Sequence, residues 1–137
     1  MTKYTAPTLK LLLGFGLFSL LLFSAGCKKD DTVYKACFYT NLPGEKGQLV
    51  FFLNDVRQGM LPFVDRDVMD LPDSMLYKTL QMDLKAGTYT LKAFDNNNEL
   101  KVSSKISFSS RHTSSSGNMG GNSMSIKGNT MVVNLFY

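Results

Sequence analysis

The stretch LQMDLKAGTYTLKA, residues 80–93, decides the fold class because its apolar side chains recur at every second position. The apolar members are Leu80, Met82 and Leu84 in the first half and Tyr89, Leu91 and Ala93 in the second. A period of two is typical of a β-strand with one buried face. Ala86 and Gly87 separate the halves, and glycine tolerates the backbone angles of a tight reversal. We therefore expect two antiparallel strands joined by a hairpin.

The same periodicity extends over the chain from residue 33 onward. Further strands are predicted over residues 33–40, 56–63, 100–108 and 131–137. Residues 48–53 are apolar on both faces, which favours a central strand covered on both sides. A single helical turn, capped by an Asp or Ser side chain, is expected over residues 70–74. About seven short strands with frequent turns predict an all-β fold, a small antiparallel β-sandwich of immunoglobulin-like or transthyretin-like topology.

Residues 84–91, LKAGTYTL, carry a resemblance to a known motif. They resemble the Leu-x-x-Gly-x-Tyr-x-Leu hairpin of prealbumin-like and carboxypeptidase-regulatory-like sandwiches. The resemblance implies that Tyr89 packs inward and that its hydroxyl reaches a backbone group. The motif supports a fold and carries almost no information about function.

The N-terminal segment has the pattern of a secretory signal peptide. It contains Lys3 and Lys10, an apolar run over residues 11–23, and small residues before Cys27. The run is shorter than the roughly 20 residues that span a membrane. An uncleaved anchor and cleavage by signal peptidase I remain alternatives.

The end of this segment is similar to the lipobox of bacterial lipoproteins. The matching residues are Ser24, Ala25, Gly26 and Cys27, with serine where the lipobox more often has leucine. The resemblance implies cleavage before Cys27 and acyl chains on its sulfur and α-amine. Residues 1–26 would then be the cleaved signal, residues 27–32 an acylated, charged tether, and residues 33–137 the β-sandwich domain.

Four charged residues follow the cysteine directly. Lys28, Lys29, Asp30 and Asp31 resemble the export signal of Bacteroidetes-type surface lipoproteins. The resemblance implies a lipid-anchored protein on the outer face of the outer membrane. The alternative is a solvated tether with no export role, which leaves the inner leaflet or the inner membrane open.

The charge of the mature chain argues against nucleic-acid binding, and its cysteine content argues against a disulfide. Without Lys3 and Lys10, it has 13 basic and 11 acidic side chains and no basic cluster away from the tether. Nucleic-acid binding requires such a cluster, so we do not expect it. An acylated Cys27 cannot form a disulfide with Cys37, the only other cysteine. Cys37 is therefore expected to be a free thiol that behaves as a small buried hydrophobic residue.

Two polar features of the sequence, an acidic cluster and a single histidine, are candidates for a reactive site. Asp65, Asp67, Asp70 and Asp73 provide the oxygen ligands that calcium prefers, but they lack the spacing of an EF-hand loop. They are weak metal candidates, and we interpret them as a solvated loop. His112, the only histidine, lies in a serine-rich segment without the rigid neighbours that a catalytic site needs. No cofactor motif is present in the mature sequence.

Residues 109–129 are rich in Ser, Gly and Asn, which is typical of a flexible loop. This segment is predicted to be either an idle insertion or a contact loop that becomes ordered on a partner. The leading functional hypothesis is a non-catalytic lipoprotein that presents a β-sandwich for protein or glycan contact at the cell surface. The alternative is a structural accessory subunit of an envelope complex that faces the periplasm.

Overall fold

Two β-sheets lie face to face in the computed structural model, which describes residues 29–44 and 48–137. The strands are β1 Val33–Tyr39, β2 Val50–Leu53, β3 Val56–Met60, β4 Leu80–Lys85, β5 Gly87–Phe94, β6 Leu100–Phe108, β7 Thr113–Met119, β8 Gly121–Lys127 and β9 Thr130–Phe136. A 3-10 helix, Asp73–Lys78, precedes β4. The predicted β-sandwich class is confirmed, with nine strands in the described part of the chain where about seven were expected.

The two sheets differ in size. The four-stranded sheet has the order β4-β1-β9-β8 and the five-stranded sheet the order β3-β2-β5-β6-β7. Adjacent strands are antiparallel except β1 and β9, which run parallel with Lys35 opposite Thr130. The first and last strands of the sandwich therefore lie side by side.

Apolar side chains from the inner faces of both sheets form the core. Its largest members include Phe38, Phe51, Leu49, Leu91, Phe108, Ile106, Met131 and Leu135, all at most 2% exposed. The Phe38 and Phe51 rings approach to 4.7 Å between centroids, one from each sheet. Burial of a side chain of this size contributes about 1.5–3 kcal/mol, so contacts of this kind hold the two layers together.

The outer face of the four-stranded sheet is covered by the segment that leads into and includes the 3-10 helix. Buried or half-buried side chains of this cover are Val64, Val68, Leu71, Met75 and Leu76, which pack on Cys37, Tyr39 and Val132. The Tyr39 hydroxyl donates a hydrogen bond to the Arg66 carbonyl oxygen at 2.9 Å. Burial, with a smaller effect of the Asp67 charge, raises the pKa of Tyr39 to about 12. The part of this sheet around Cys37, Tyr39 and Val132 is thus buried on both faces.

The expected hairpin at Ala86-Gly87 is wrong, because the chain passes there from one sheet to the other. β4 pairs with β1, whereas β5 pairs with β2 and β6. The Ala86 amide donates to the Thr32 carbonyl oxygen at 2.8 Å, which holds the corner. A corner and a hairpin share the same local pattern, since in both cases each strand turns its apolar face to the core. The expectation for Tyr89 is confirmed: its hydroxyl donates to the Lys85 carbonyl oxygen, and its half-buried ring stacks on Phe108.

The prediction of a flexible loop over residues 109–129 is also wrong. A tight turn at Ser109–His112 leads into β7, and Gly120 alone separates β7 from β8. β7 pairs with β6, and β8 pairs with β9. These pairings satisfy the backbone amide and carbonyl groups of β7 and β8. Met124 and Ile126, two residues apart, pack on the core.

The expectation that residues 48–53 are covered on both faces is wrong as well. Phe51 and Leu53 are buried in the core, whereas Val50 and Phe52 are half-buried on the outer face. No described strand or helix packs on that face. The chain reverses after this strand at Asn54 and Asp55, whose φ angles are positive at 48° and 64°.

The helical turn expected near residue 70 is confirmed, although it begins later and is capped differently. Pro72 is its N-terminal cap, and no side chain makes a capping hydrogen bond. The predicted signal peptide of residues 1–26, Cys27 and Lys28 lie outside the described residues.

Candidate functional site

The uncovered face of the five-stranded sheet carries a shallow groove of about 530 Å³, here named the aromatic groove. It is lined by Val50, Phe52, Asp55, Arg57, Lys92, Phe94 and Asn98. These side chains come from β2, β3 and β5 and from the turn after β5. Because outward positions alternate with buried ones, the same strands build the core and the groove.

Two aromatic rings form the floor of the aromatic groove. The rings of Phe52 and Phe94 meet edge to face, with centroids 5.3 Å apart and an interplanar angle of 71°. Val50 lies opposite Phe94 in the strand pairing, and the register shifts between Ala93 and Phe94. A local irregularity of this kind redirects a side chain relative to its neighbours. The floor is therefore a rigid apolar surface on two paired strands.

Cationic side chains lie on both sides of Phe52. Arg57 on β3 and Lys92 on β5 are its partners in the strand pairing. Lys92 forms an ion pair with Asp55 at 2.5 Å. Arg57 has no ion-pair partner among the residues that the structure describes. The half-buried Phe52 ring thus lies between Lys92, which is paired with Asp55, and Arg57.

The turn after β5 closes one end of the aromatic groove. The Asp95 carboxylate accepts hydrogen bonds from the backbone amides of Asn97 and Glu99, at 2.8 and 2.9 Å. Hydrogen bonding, first to Glu99, lowers the pKa of Asp95. The hydrogen bond from Lys101 to Glu99, at 2.7 Å, raises the pKa of Lys101. These contacts fix the turn that carries Asn98.

A second, polar depression of about 190 Å³ continues across the same face toward β7. Its outward side chains include Thr90, Ser103, Lys105, Ser116 and Asn118. The face therefore combines an apolar floor with hydroxyl, amide and cationic groups, which is the usual composition of a binding site. Neither depression is lined by a histidine or a cysteine.

The sequence did not reveal the aromatic groove, because the apolar run of residues 48–53 was interpreted as buried on both faces. A signal was present in the neighbouring strands. Arg57, Thr90 and Lys92 are polar at the outward positions next to Phe52, which indicates a face without a cover.

The acidic segment lies on the side of the molecule away from the aromatic groove. Asp65, Asp67 and Asp70 line a shallow depression of about 230 Å³ together with Asn41 and Arg66. The Asn41 side-chain amide donates to Asp67 at 3.2 Å. Asp73 lies apart, at the start of the 3-10 helix. Within residues 29–44 and 48–137, no group of three or more acidic, His or Cys side chains is arranged to hold a metal ion.

The described part of the charged tether is attached to the domain. Asp30 accepts a hydrogen bond from the Ser110 amide at 2.6 Å and another from the Thr32 amide at 3.0 Å. These bonds, with that from Ser110 contributing most, hold the pKa of Asp30 well below its usual range. Lys29 and Asp31 are exposed, and the lipobox residues lie outside the described residues.

Cys37 and His112, the remaining candidates from the sequence, lie apart from each other. Cys37 is a free thiol and fully buried, as expected. Burial raises its pKa, partly offset by a hydrogen bond with Thr79. His112 is exposed in the turn between β6 and β7, where its backbone amide donates to the Ser109 hydroxyl at 3.0 Å.

No protein-family model, curated protein or solved structure matches this chain. In the described part of the chain, no helix has both the length and the apolar character needed to cross a membrane.

Proposed function

We propose that the protein is a non-catalytic lipoprotein, anchored in the outer membrane through acyl chains on Cys27, that contacts a protein or glycan at the cell surface. The aromatic groove supports this proposal best. It leaves Val50, Phe52 and Phe94 only half-buried on a face that no described element covers. Exposed apolar patches with a polar rim are typical of interaction sites.

The chemistry of the groove supports contact rather than catalysis. Its one acid, Asp55, is neutralised by Lys92, and Arg57, without an ion-pair partner among the described residues, can meet an acidic or hydroxyl-rich ligand. Aromatic rings offer a flat apolar surface at a small cost in conformational entropy, which benefits both protein and sugar ligands. The proposal requires no cofactor.

Capture of a ligand tests the groove. Acylated protein in vesicles should retain a component of an envelope extract, and the double variant Phe52→Ser, Phe94→Ser should lose it. Phe63→Ser, at a half-exposed phenylalanine outside the groove, is the matched control. Protease treatment of the extract removes a protein ligand, and periodate oxidation destroys most glycan ligands. Equal capture by the wild type and the double variant would contradict a role for the groove.

Protease treatment of intact cells tests the location. Digestion of the domain is expected if it faces outward. Complete protection, with digestion after the outer membrane is permeabilised, would instead favour the accessory subunit of an envelope complex that faces the periplasm.

A further inference from the structure

Asp30, three residues after Cys27, is bound to the end of the sandwich. One carboxylate oxygen accepts the Ser110 amide at 2.6 Å and the other accepts the Thr32 amide. Ser110 belongs to the tight turn between β6 and β7. The Thr32 carbonyl oxygen in turn accepts the Ala86 amide at 2.8 Å. The chain therefore joins the domain at residue 30.

This attachment limits the distance between the anchor and the domain. Three residues span at most about 10 Å even when fully extended. If the Cys27 acyl chains enter the bilayer, the Asp30 end of the sandwich must lie within about that distance of the headgroups. A longer flexible linker would let the domain rotate freely about its anchor, but the linker from Cys27 to Asp30 is too short for this.

The end of the sandwich that contains Asp30, here named the tether end, comprises residues 30–33, 85–87, 109–112 and 127–129. Its exposed cations are Lys85, Arg111 and Lys127, and Lys29 lies directly before it. Lys85, Arg111 and Lys127 have no ion-pair partner within residues 29–44 and 48–137. Of its two acids, Asp30 is occupied by backbone amides and Asp31 is exposed.

The opposite end has the opposite charge character. It contains Asp65, Asp67, Asp70, Asp95 and Glu99 against two cations, Arg66 beside the first three and Lys101 paired to the last two. Near an anionic lipid surface, Lys and Arg side chains are attracted, whereas acids are repelled. The charges and the short tether thus favour the same orientation.

We infer that the tether end is a membrane-contact surface, seated on the phosphate groups of an anionic leaflet and held there by the Asp30 contacts. This inference rests on the proposed acyl anchor. The strands then run away from the membrane surface, because β1 and β9 begin at the tether end. β6, with nine residues, spans about 30 Å at the usual rise, which places the acidic end about that far from the headgroups. The aromatic groove faces sideways, accessible to a ligand next to the membrane.

Lysine footprinting tests the orientation without altering the protein. The acylated protein is reacted with an amine-acetylating reagent in detergent, in phosphatidylcholine vesicles and in phosphatidylglycerol vesicles. Acetylation of Lys85 and Lys127 is expected to slow several-fold in phosphatidylglycerol vesicles. Lys78 and Lys105, exposed elsewhere on the domain, serve as internal controls and should react at unchanged rates.

Two variants separate the attachment from the charge. Asp30→Ala should bring the rates of Lys85 and Lys127 close to those of the controls, because the domain is released from its fixed end. Asp31→Ala removes the same charge but leaves the hydrogen bonds of Asp30 intact, so Lys85 and Lys127 should remain protected. In 1 M salt the protection should weaken, since the Debye length falls to about 3 Å.

The same digest reports the mass of the N-terminal peptide. An unmodified Cys27 would overturn the proposed anchor together with the seating that depends on it. An acylated Cys27 with equal rates at all lysines, or with Lys105 protected, would leave the anchor intact and overturn the orientation.

Discussion

The Tyr89 hydroxyl donates a hydrogen bond to the Lys85 carbonyl oxygen at 2.8 Å, across the corner where the chain leaves the four-stranded sheet and enters the five-stranded one. Its ring stacks on Phe108, with centroids 5.5 Å apart. One side chain thus joins the last residue of β4 to the core.

Replacing Tyr89 separates the two contacts. Tyr89→Phe removes only the hydrogen bond and should reduce the free energy of unfolding by about 0.5–1 kcal/mol, since the bond is partly exposed to water. Tyr89→Leu removes the stacking as well and should cost more. Urea denaturation of both variants measures the difference. A Tyr89→Phe protein as stable as the wild type would show that the hydroxyl does not stabilise the corner.

Ser104 is a site where a substitution should stabilise the protein. Its side chain is 5% exposed, points into the core between Val102 and Ile106, and its hydroxyl lacks a hydrogen-bond partner among the described residues. Ser104→Ala removes this unpaired group and should raise the free energy of unfolding by about 1 kcal/mol. Ser103→Ala, on the outer face of the same strand, should change it by less than about 0.5 kcal/mol. Thermal denaturation of both variants tests the contrast, and a lower midpoint for Ser104→Ala would contradict it.

Gly120 should tolerate no side chain. Its φ is 61°, and a Cβ atom would lie 2.7 Å from the carbonyl oxygens of Lys101 and Phe136. Gly120→Ala should therefore destabilise the protein by about 1–3 kcal/mol or more, through strain and close contact. Gly128→Ala, at a similar φ of 58° with nothing within 4 Å of the added atom, carries the strain alone. Equal losses of stability for the two variants would refute the close approach at Gly120.

The Asp30 contacts should stabilise the protein in a pH-dependent way. Hydrogen bonds to Ser110 and Thr32 lower the pKa of Asp30 in the folded state below that of the unfolded chain, about 3.9. The stabilisation is therefore fully present above pH 4 and declines as the pH falls through the lowered folded-state pKa. Wild type should be more stable than Asp30→Ala at neutral pH, and the difference should shrink in acid. A difference that grows below pH 4 would reverse the sign of this linkage.

Calcium should leave the stability of the domain unchanged. Asp65, Asp67 and Asp70 lie on a shallow, open surface, and Asp73 is separate from them. Thermal denaturation with and without calcium at millimolar concentration measures this. A clear rise in the midpoint, lost in Asp67→Asn, would establish a metal site that the geometry does not indicate.

The periodicity of the sequence predicted the strands but not all of their partners. The alternation in residues 80–93 correctly indicated β4 and β5, because one face of each is buried. It could not distinguish a hairpin from a corner, since that depends on β1, β2 and β6 elsewhere in the chain. Pairing between distant segments is set by the whole core rather than by local pattern.

Composition was a weaker guide than periodicity. The Ser- and Gly-rich residues of β7 are all exposed, and only the ladder to β6 makes them a strand. In β8, the spacing of Met124 and Ile126 was the available signal, and the polar residues around them obscured it. The aromatic groove was missed for the opposite reason: Phe52 looked like core residues, and only its neighbours on β3 and β5 show that its face is open.

The parallel pairing of β1 with β9 places a constraint on how this protein acquires its structure. β1 is hydrogen-bonded to β4 on one side and to β9 on the other. The pairing of residues near 35 with residues near 130 therefore cannot form until both segments are available. Contacts at such a large sequence separation slow folding. The four-stranded sheet cannot be completed before β9 has been synthesised. Until then, the edge of β1 that pairs with β9 in the folded protein has no strand to pair with.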